Sequence, residues 1–169
     1  MEYLIIDGYN LINAWGDVFD VKGEPLEDCR DRLLHILSNY QGYKNMKVIV
    51  VFDAHHVKGN QENLITFDNI TVVYTKENET ADNYIERCVY KNGYDNIVRV
   101  VTSDYLEQRM VLNKGGIRVT PQELKQEVMK TCNNTKKTVL NKHIVDNAIM
   151  SRIDPKLREK LEKIRRSKF

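Results

Sequence analysis

Lys47–Phe52 reads Lys-Val-Ile-Val-Val-Phe, a run of apolar, β-branched residues with no polar alternation, and Asp53 ends it. A strand of that kind must be covered on both faces, which antiparallel sheets with one wet face do not offer and parallel sheets do. Similar short runs occur at Tyr3–Ile6, Ile70–Tyr74 and Asn96–Val101, with a shorter one at Ile117–Val119. Helical stripes alternate with them. Leu26, Leu33, Leu34 and Leu37 follow Pro25; Ala81, Tyr84, Ile85, Cys88 and Val89 form a second stripe; Leu106, Met110 and Val111 form a third, stopped at Gly115-Gly116. Thr120-Pro121-Gln122-Glu123 is a capping box with proline at the first helical position. The expected fold is therefore a three-layer α/β/α domain with a mainly parallel central sheet, over residues 1–135. Tyr3–Ile6 should lie between Lys47–Phe52 and Asn96–Val101, and Ala54–Asn69 is the longest candidate loop.

Residues 136–169 differ in character. They carry 11 Lys/Arg against 4 Asp/Glu, a net of +7, whereas residues 1–135 have a net of −5 in a chain whose total is +2. Asp154-Pro155 reads as a fresh helix start, followed by the stripe Leu157, Leu161, Ile164 and the Arg165-Arg166-Ser167-Lys168 tail. This is a basic helical C-terminal segment, packed on or extending from the domain, and an acidic body with a basic tail suits an anionic partner. Arg165, Arg166 and Lys168 are the expected contacts to that anionic partner. The 3 cysteines include no Cys-x-x-Cys pair, which excludes a disulfide framework and a cysteine-rich zinc site; Cys29, Cys88 and Cys132 read as small buried hydrophobes. No apolar run is long enough to span a membrane, and the N-terminus lacks a basic leader, so the expectation is a soluble, cytoplasmic protein. Neither GxGxxG nor GxxxxGK[ST] occurs, so no nucleotide cofactor is expected. His55 and His56 fall in the candidate loop as surface or substrate-facing residues, and Tyr9 and Trp15 suit core packing better than base stacking.

Ligands of a parallel α/β sheet gather at the carboxyl ends of its strands. Asp7 stands there after the first run and Asp53 after the second. Thr102-Ser103-Asp104 follows the Asn96–Val101 run, and Asp82 opens the helix after Ile70–Tyr74, behind Glu77 and Glu79. One such aspartate is often only a helix N-cap. Several together repel one another and are costly to bury without a cation. Hard oxygen ligands select Mg²⁺ or Mn²⁺ over zinc, and such ions handle phosphate esters. An acidic cluster with a basic appendage thus reads as a metal-dependent nuclease. A haloacid-dehalogenase-type phosphatase also places an aspartate after its first strand, but it wants a second two residues on, where this chain has Tyr9. A non-catalytic RNA-binding module, or a receiver-like domain, stands beside these as an alternative.

The blocks Ile5-Ile6-Asp7-Gly8-Tyr9-Asn10, Phe52-Asp53, Glu79-Thr80-Ala81-Asp82-Asn83-Tyr84-Ile85 and Thr102-Ser103-Asp104 resemble, in order and spacing, the NYN branch of the PIN-like nucleases. Among these the chain is most similar to the YacP-like group, bacterial ribosome-associated endoribonucleases that cut messenger RNA at the ribosomal A site. The resemblance implies an endoribonuclease that uses Mg²⁺ or Mn²⁺ and acts on single-stranded RNA. It makes Asp7, Asp82 and Asp104 the catalytic, metal-holding acids, with Asn10, Asp53, Glu79 and Ser103 in support. Many PIN-like sites carry a further acid two residues after the Ser-Asp pair. Here that residue is Leu106, which leaves the ligand count open between one metal and two.

Overall fold

The computed structural model describes residues 1–53, 63–76 and 78–133, with only the backbone of Leu106. His55, His56, Glu77, the basic segment 136–169 and its Arg165, Arg166 and Lys168 lie outside the described residues. The chain divides into two compact units, Met1–Met129 and Lys130–Phe169, and the architecture below is that of the first.

The β-branched runs form a six-stranded sheet of order β3-β4-β2-β1-β5-β6. Its strands are β1 (Glu2–Asp7), β2 (Lys47–Phe52), β3 (Asn63–Phe67), β4 (Ile70–Tyr74), β5 (Ile97–Val101) and β6 (Ile117–Val119). The central strand β1 pairs in parallel with β2 on one side and β5 on the other, with Ile6 opposite Val50 and Val101. All neighbours are parallel except the edge strand β3, which runs antiparallel to β4. Five strands were legible from the sequence. The sixth, β3, occupies part of the stretch expected to be loop, and its residues are mostly exposed, so no burial pattern marked it.

Helices α1 (Gly8–Ala14), α2 (Leu26–Lys44), α3 (Ala81–Asn92) and α4 (Tyr105–Asn113) join the strands, and a fifth, α5, opens at residue 121 and is described through 133. Alternate residues along each strand feed opposite faces. Leu4, Ile6, Val48, Val50 and Val72 pack with Leu11, Leu33, Leu37 and Leu124 in one core. Ile5, Val51, Val73, Val98 and Val100 pack with Ile85, Val89 and Val111 in the other. Each side chain so enclosed contributes about 1.5–3 kcal/mol of transfer free energy, and the two cores make the three layers. From β1 the chain moves outward through β2 to β4, then returns across β1 to β5. A right-handed crossover of reversed direction must put its helix on the other face, so α3 and α4 lie opposite α1, α2 and α5.

The local signals act as their chemistry requires. Thr120 and Glu123 exchange the capping-box bonds, the Thr120 N–H to Glu123 Oε2 at 2.7 Å and the Glu123 N–H to Thr120 Oγ1 at 3.2 Å. After α4, Gly115 takes φ +78°, open to glycine but strained for other residues. Trp15 is 2% exposed and its indole N–H donates to the Pro121 carbonyl at 2.9 Å, a core role. Pro25 stands at the N-cap of α2, one position before its first turn. Cys29 is buried and Cys88 half-buried, but Cys132 is exposed, against the expectation of three buried thiols.

Candidate active site

The winding direction reverses between β1 and β5, and the carboxyl ends of the strands at such a switch point are where sheets of this kind bind ligands. Because β1, β2 and β5 are parallel, Asp7, Asp53 and Asp104 leave the sheet at the same edge. Asp7 caps α1, accepting from the Asn10 N–H at 3.0 Å. That first turn lies hard against β2: a Cβ on Gly8 would stand 2.3 Å from the Phe52 ring, so only glycine lets α1 begin there. Thr80 caps α3 and sets Asp82 in its first turn. Asp104 accepts from the Glu107 N–H at 3.3 Å at the start of α4. Asp7 and Asp104 are thus helix caps as well as members of an acidic edge.

Asp7, Asp82 and Glu107 each bring a carboxylate oxygen within 4.8 Å of the other two. Glu107 is not among the residues that the sequence singles out. It lies three residues after Asp104, so the first turn of α4 turns it to the side of the helix that Asp104 caps. Asp104 is outside that trio of oxygens but its charge acts on both Asp82 and Glu107, and the charge of Asp53 acts on Asp7 and Asp82.

The electrostatics are those of uncompensated charge. Glu107 is 4% exposed, and neither of its oxygens has a hydrogen-bond partner of good geometry among the described residues. Burial pushes its pKa from 4.5 up to about 8; the nearby Thr102 hydroxyl favours the ionised form, and the charges of Asp82, Asp7 and Asp104 oppose it. Burial raises Asp7 too, joined by the charges of Asp82 and Asp53 and resisted by the backbone N–H groups of Asn10 and Tyr9. Asp82 is raised by burial, then by the charges of Asp104 and Asp53. A cation would stabilise every one of these carboxylates in its ionised form. An all-oxygen donor set with orphaned buried oxygens fits a hard divalent ion.

The supporting residues divide. The Asn10 side-chain carbonyl accepts from the Ser103 N–H at 3.1 Å and from its hydroxyl at 2.8 Å, tying the end of β1 to the end of β5. Glu79 turns to Arg87, 3.1 Å away, while its other oxygen is buried without a partner.

A doubly wound sheet with convergent carboxylates at its switch point is the arrangement of the PIN-like nucleases, and the comparisons with known proteins narrow that class. The model of the YacP-like NYN domain matches residues 4–166, so the chain belongs to this family. It is 43% identical over 129 residues to the uncharacterized protein YacP of Bacillus subtilis (strain 168), covering 76% of this chain and 75% of the relative. A crystal structure of Rae1 (YacP) from Bacillus subtilis superposes with a TM-score of 0.73 at 36% identity, covering 98% of this chain and 95% of the other. A crystal structure of a point mutant of the same Bacillus subtilis protein gives 0.72 at 32% identity, covering 97% and 99%. Family membership supports an RNA-related nuclease role, and PIN-like nucleases typically use divalent metals. No helix among the described residues is long and apolar enough to cross a membrane.

Proposed function

We propose that the protein is a divalent-metal-dependent endoribonuclease that cleaves single-stranded RNA, messenger RNA in particular, in the cytoplasm and in association with the ribosomal A site. The observation that carries this reading is Glu107, a buried carboxylate with no hydrogen-bond partner of good geometry among the described residues, held within 4.8 Å of Asp7 and Asp82. A carboxyl buried as Glu107 is, beside two other acids, ionises only at a cost of several kcal/mol unless a cation joins it, which is hard to explain as architecture. In this reading Asp7, Asp82 and Glu107 hold Mg²⁺ or Mn²⁺, with Asp104 beside them as a fourth metal-site acid. The bound ion supplies Lewis acidity for attack of water on a phosphodiester. Asp53 and Asp104 orient the attacking water, Asn10 and Ser103 fix the spacing between the β1 and β5 ends, and the cut leaves a 5′-phosphate. Residues 1–135 form the nuclease domain, and the basic segment 136–169, through Arg165, Arg166 and Lys168, holds RNA or ribosome.

The test is cleavage of a labelled single-stranded RNA, free and on translating ribosomes, with Mg²⁺, with Mn²⁺ and with chelator. Cutting that needs the metal and stops in Asp7→Asn supports the reading. An RNA that binds but is never cut under any of these conditions makes the protein a binding module instead.

A further inference from the structure

Several carboxylates at one edge repel a polyanion, and one divalent ion offsets only part of their charge. An RNA strand drawn to this site therefore needs a fixed cation beside it, and the described residues supply one on the flank over β2 and β4. Tyr9, two residues past Asp7 in the first turn of α1, accepts a hydrogen bond of 3.0 Å from Nη1 of Arg30 on α2. The same guanidinium lies 6.0 Å from the centre of the Tyr74 ring. Tyr74 is the last residue of β4 and pairs in register with Phe52, the residue before Asp53. Phe52 locks both rings, edge-on to Tyr9 at 5.0 Å and stacked with Tyr74 at 5.6 Å. Arg30 is thereby held at the carboxyl edge of the sheet, bonded to the residue two after Asp7 and lying against the last residue of β4.

Its surroundings differ from those of a structural arginine. The Arg30 side chain is 11% exposed, and its carboxylate contact among the described residues is Glu27 at 3.4 Å, which is itself 83% exposed. A carboxylate in water offsets little charge. Arg30 is instead held by a phenol and a ring face, neither of which cancels its charge. A planar fork of donors, immobilised and still positive, matches the oxygens of a phosphate group.

Resting on the nuclease reading above, we propose that Arg30, positioned by Tyr9 and Tyr74, binds the phosphate of the nucleotide next to the scissile one. The contact serves substrate and transition state alike, so it acts on KM more than on kcat.

The experiment compares the full-length protein with Arg30→Met, Arg30→Lys and Tyr9→Phe on a single-stranded RNA with Mg²⁺ or Mn²⁺, alongside fluorescence anisotropy of the same RNA at several salt concentrations. Arg30→Met should raise KM about tenfold with kcat nearly unchanged, and flatten the slope of log affinity against log salt by about 0.7. Arg30→Lys should keep the slope and lose part of the affinity, because the charge stays and the fork goes. Tyr9→Phe should raise KM several-fold with the slope kept. Arg32→Met, two positions on in a residue that pairs with Glu24, is the control and should move neither. A lowered melting temperature in Arg30→Met with wild-type KM and slope would reduce Arg30 to packing and overturn the proposal. If Arg30→Met does not fold, wild-type KM in both Arg30→Lys and Tyr9→Phe overturns it equally. Failure of the wild type to cut any RNA would sink the nuclease reading, whereas wild-type cutting with an indifferent Arg30 sinks this inference alone.

Discussion

Glu107 and Glu127 are glutamates on helices that pack against opposite faces of the same sheet, and the fold treats them in opposite ways. Glu127 Oε1 sits 2.5 Å from Nη2 of Arg99, and its Oε2 accepts from the Tyr40 hydroxyl at 2.6 Å; Arg99 also reaches Glu2 at 3.5 Å. Burial alone would raise Glu127, but the hydrogen bonds from Arg99 and Tyr40 and the Arg99 charge outweigh it and hold the carboxyl below the usual glutamate range. Tyr40 is correspondingly pushed above its own range, by burial and by Glu127. Glu107 has no such cation among the described residues, and the neighbours that act on it are the Thr102 hydroxyl and the charges of Asp82, Asp7 and Asp104. A chain able to bring Arg99 from β5 to a half-buried acid on α5 could have done the same for the acid on α4. The fold completes one charge internally and leaves the other without a cation among the described residues.

The largest expected consequence is in chemistry. Asp7→Asn, Asp82→Asn and Glu107→Gln should each lower RNA cleavage by about 100-fold or more, while Arg99→Met and Glu127→Gln cut at the wild-type rate at temperatures where they are folded. Without metal, the three pocket variants should melt no lower than the wild type: Asp7→Asn and Asp82→Asn each remove a repelling charge, and Glu107→Gln replaces a buried carboxyl that ionises only at a cost. With Mg²⁺ or Mn²⁺ the wild type should gain melting temperature and the variants less. Wild-type cleavage by all three would show that the acids are not the active site.

Second comes the stability of the completed network. Arg99 and Glu127 are 16% and 31% exposed, so removing the cation strands a half-buried carboxylate. Arg99→Met should cost about 3 kcal/mol in chemical denaturation, with the loss eased in the double variant Arg99→Met, Glu127→Gln. A double variant as unstable as the sum of the two singles would show that the pair is not coupled.

The same contrast fixes the sign of the pH dependence. The folded protein binds the Glu107 proton more tightly than the unfolded chain does, so this group's stability contribution is full below about 4.5 and is lost as pH rises through about 8. Glu127 acts in the opposite sense: its contribution is present above the ordinary glutamate range and lost as pH falls. Metal-free protein should therefore lose on the order of 2–3 kcal/mol on the alkaline side. Glu107→Gln should flatten that limb and saturating Mg²⁺ should abolish it, whereas Glu127→Gln should flatten only the acid limb. A metal-free stability curve that rises steadily to pH 9 would contradict the orphaned-acid description of Glu107.

Why one of these regions was partly legible in sequence and the other was not follows from the physics of each signal. The β1, β2, β4 and β5 runs declare themselves because strands covered on both faces are almost wholly apolar. The edge strand β3, Asn63–Phe67, is exposed along most of its length and so carries no such mark. Asp7, Asp53, Asp82 and Asp104 stand out because each follows a strand or opens a helix. Glu107 did not, because Asp104-Tyr105-Leu106-Glu107 has the spacing of an ordinary capped helix start. The residue two after the Ser-Asp pair is Leu106; helical rotation, which brings the third residue round to the capped side, points to Glu107 instead. The partnership of Arg99 with Glu127 and Tyr40 joins three distant segments, and no local pattern announces it.

The smallest expected effect separates the two duties of a single pocket acid. Asp104 contributes charge to the cluster and also accepts from the Glu107 N–H at 3.3 Å as the start of α4. Asparagine retains an oxygen for that bond and is as good a helix cap as aspartate, whereas alanine has none. Asp104→Asn should therefore melt at or slightly above the wild type in the absence of metal, since it loses only repulsion. Asp104→Ala should be about 1 kcal/mol less stable than Asp104→Asn. Both should lose most of the RNA cleavage, because both lose the charge. Equal stability of the two variants would mean that the cap bond is unimportant to α4, and Glu107 would then owe its place to packing; equal cleavage by Asp104→Asn and wild type would remove Asp104 from the metal site and leave it a helix cap.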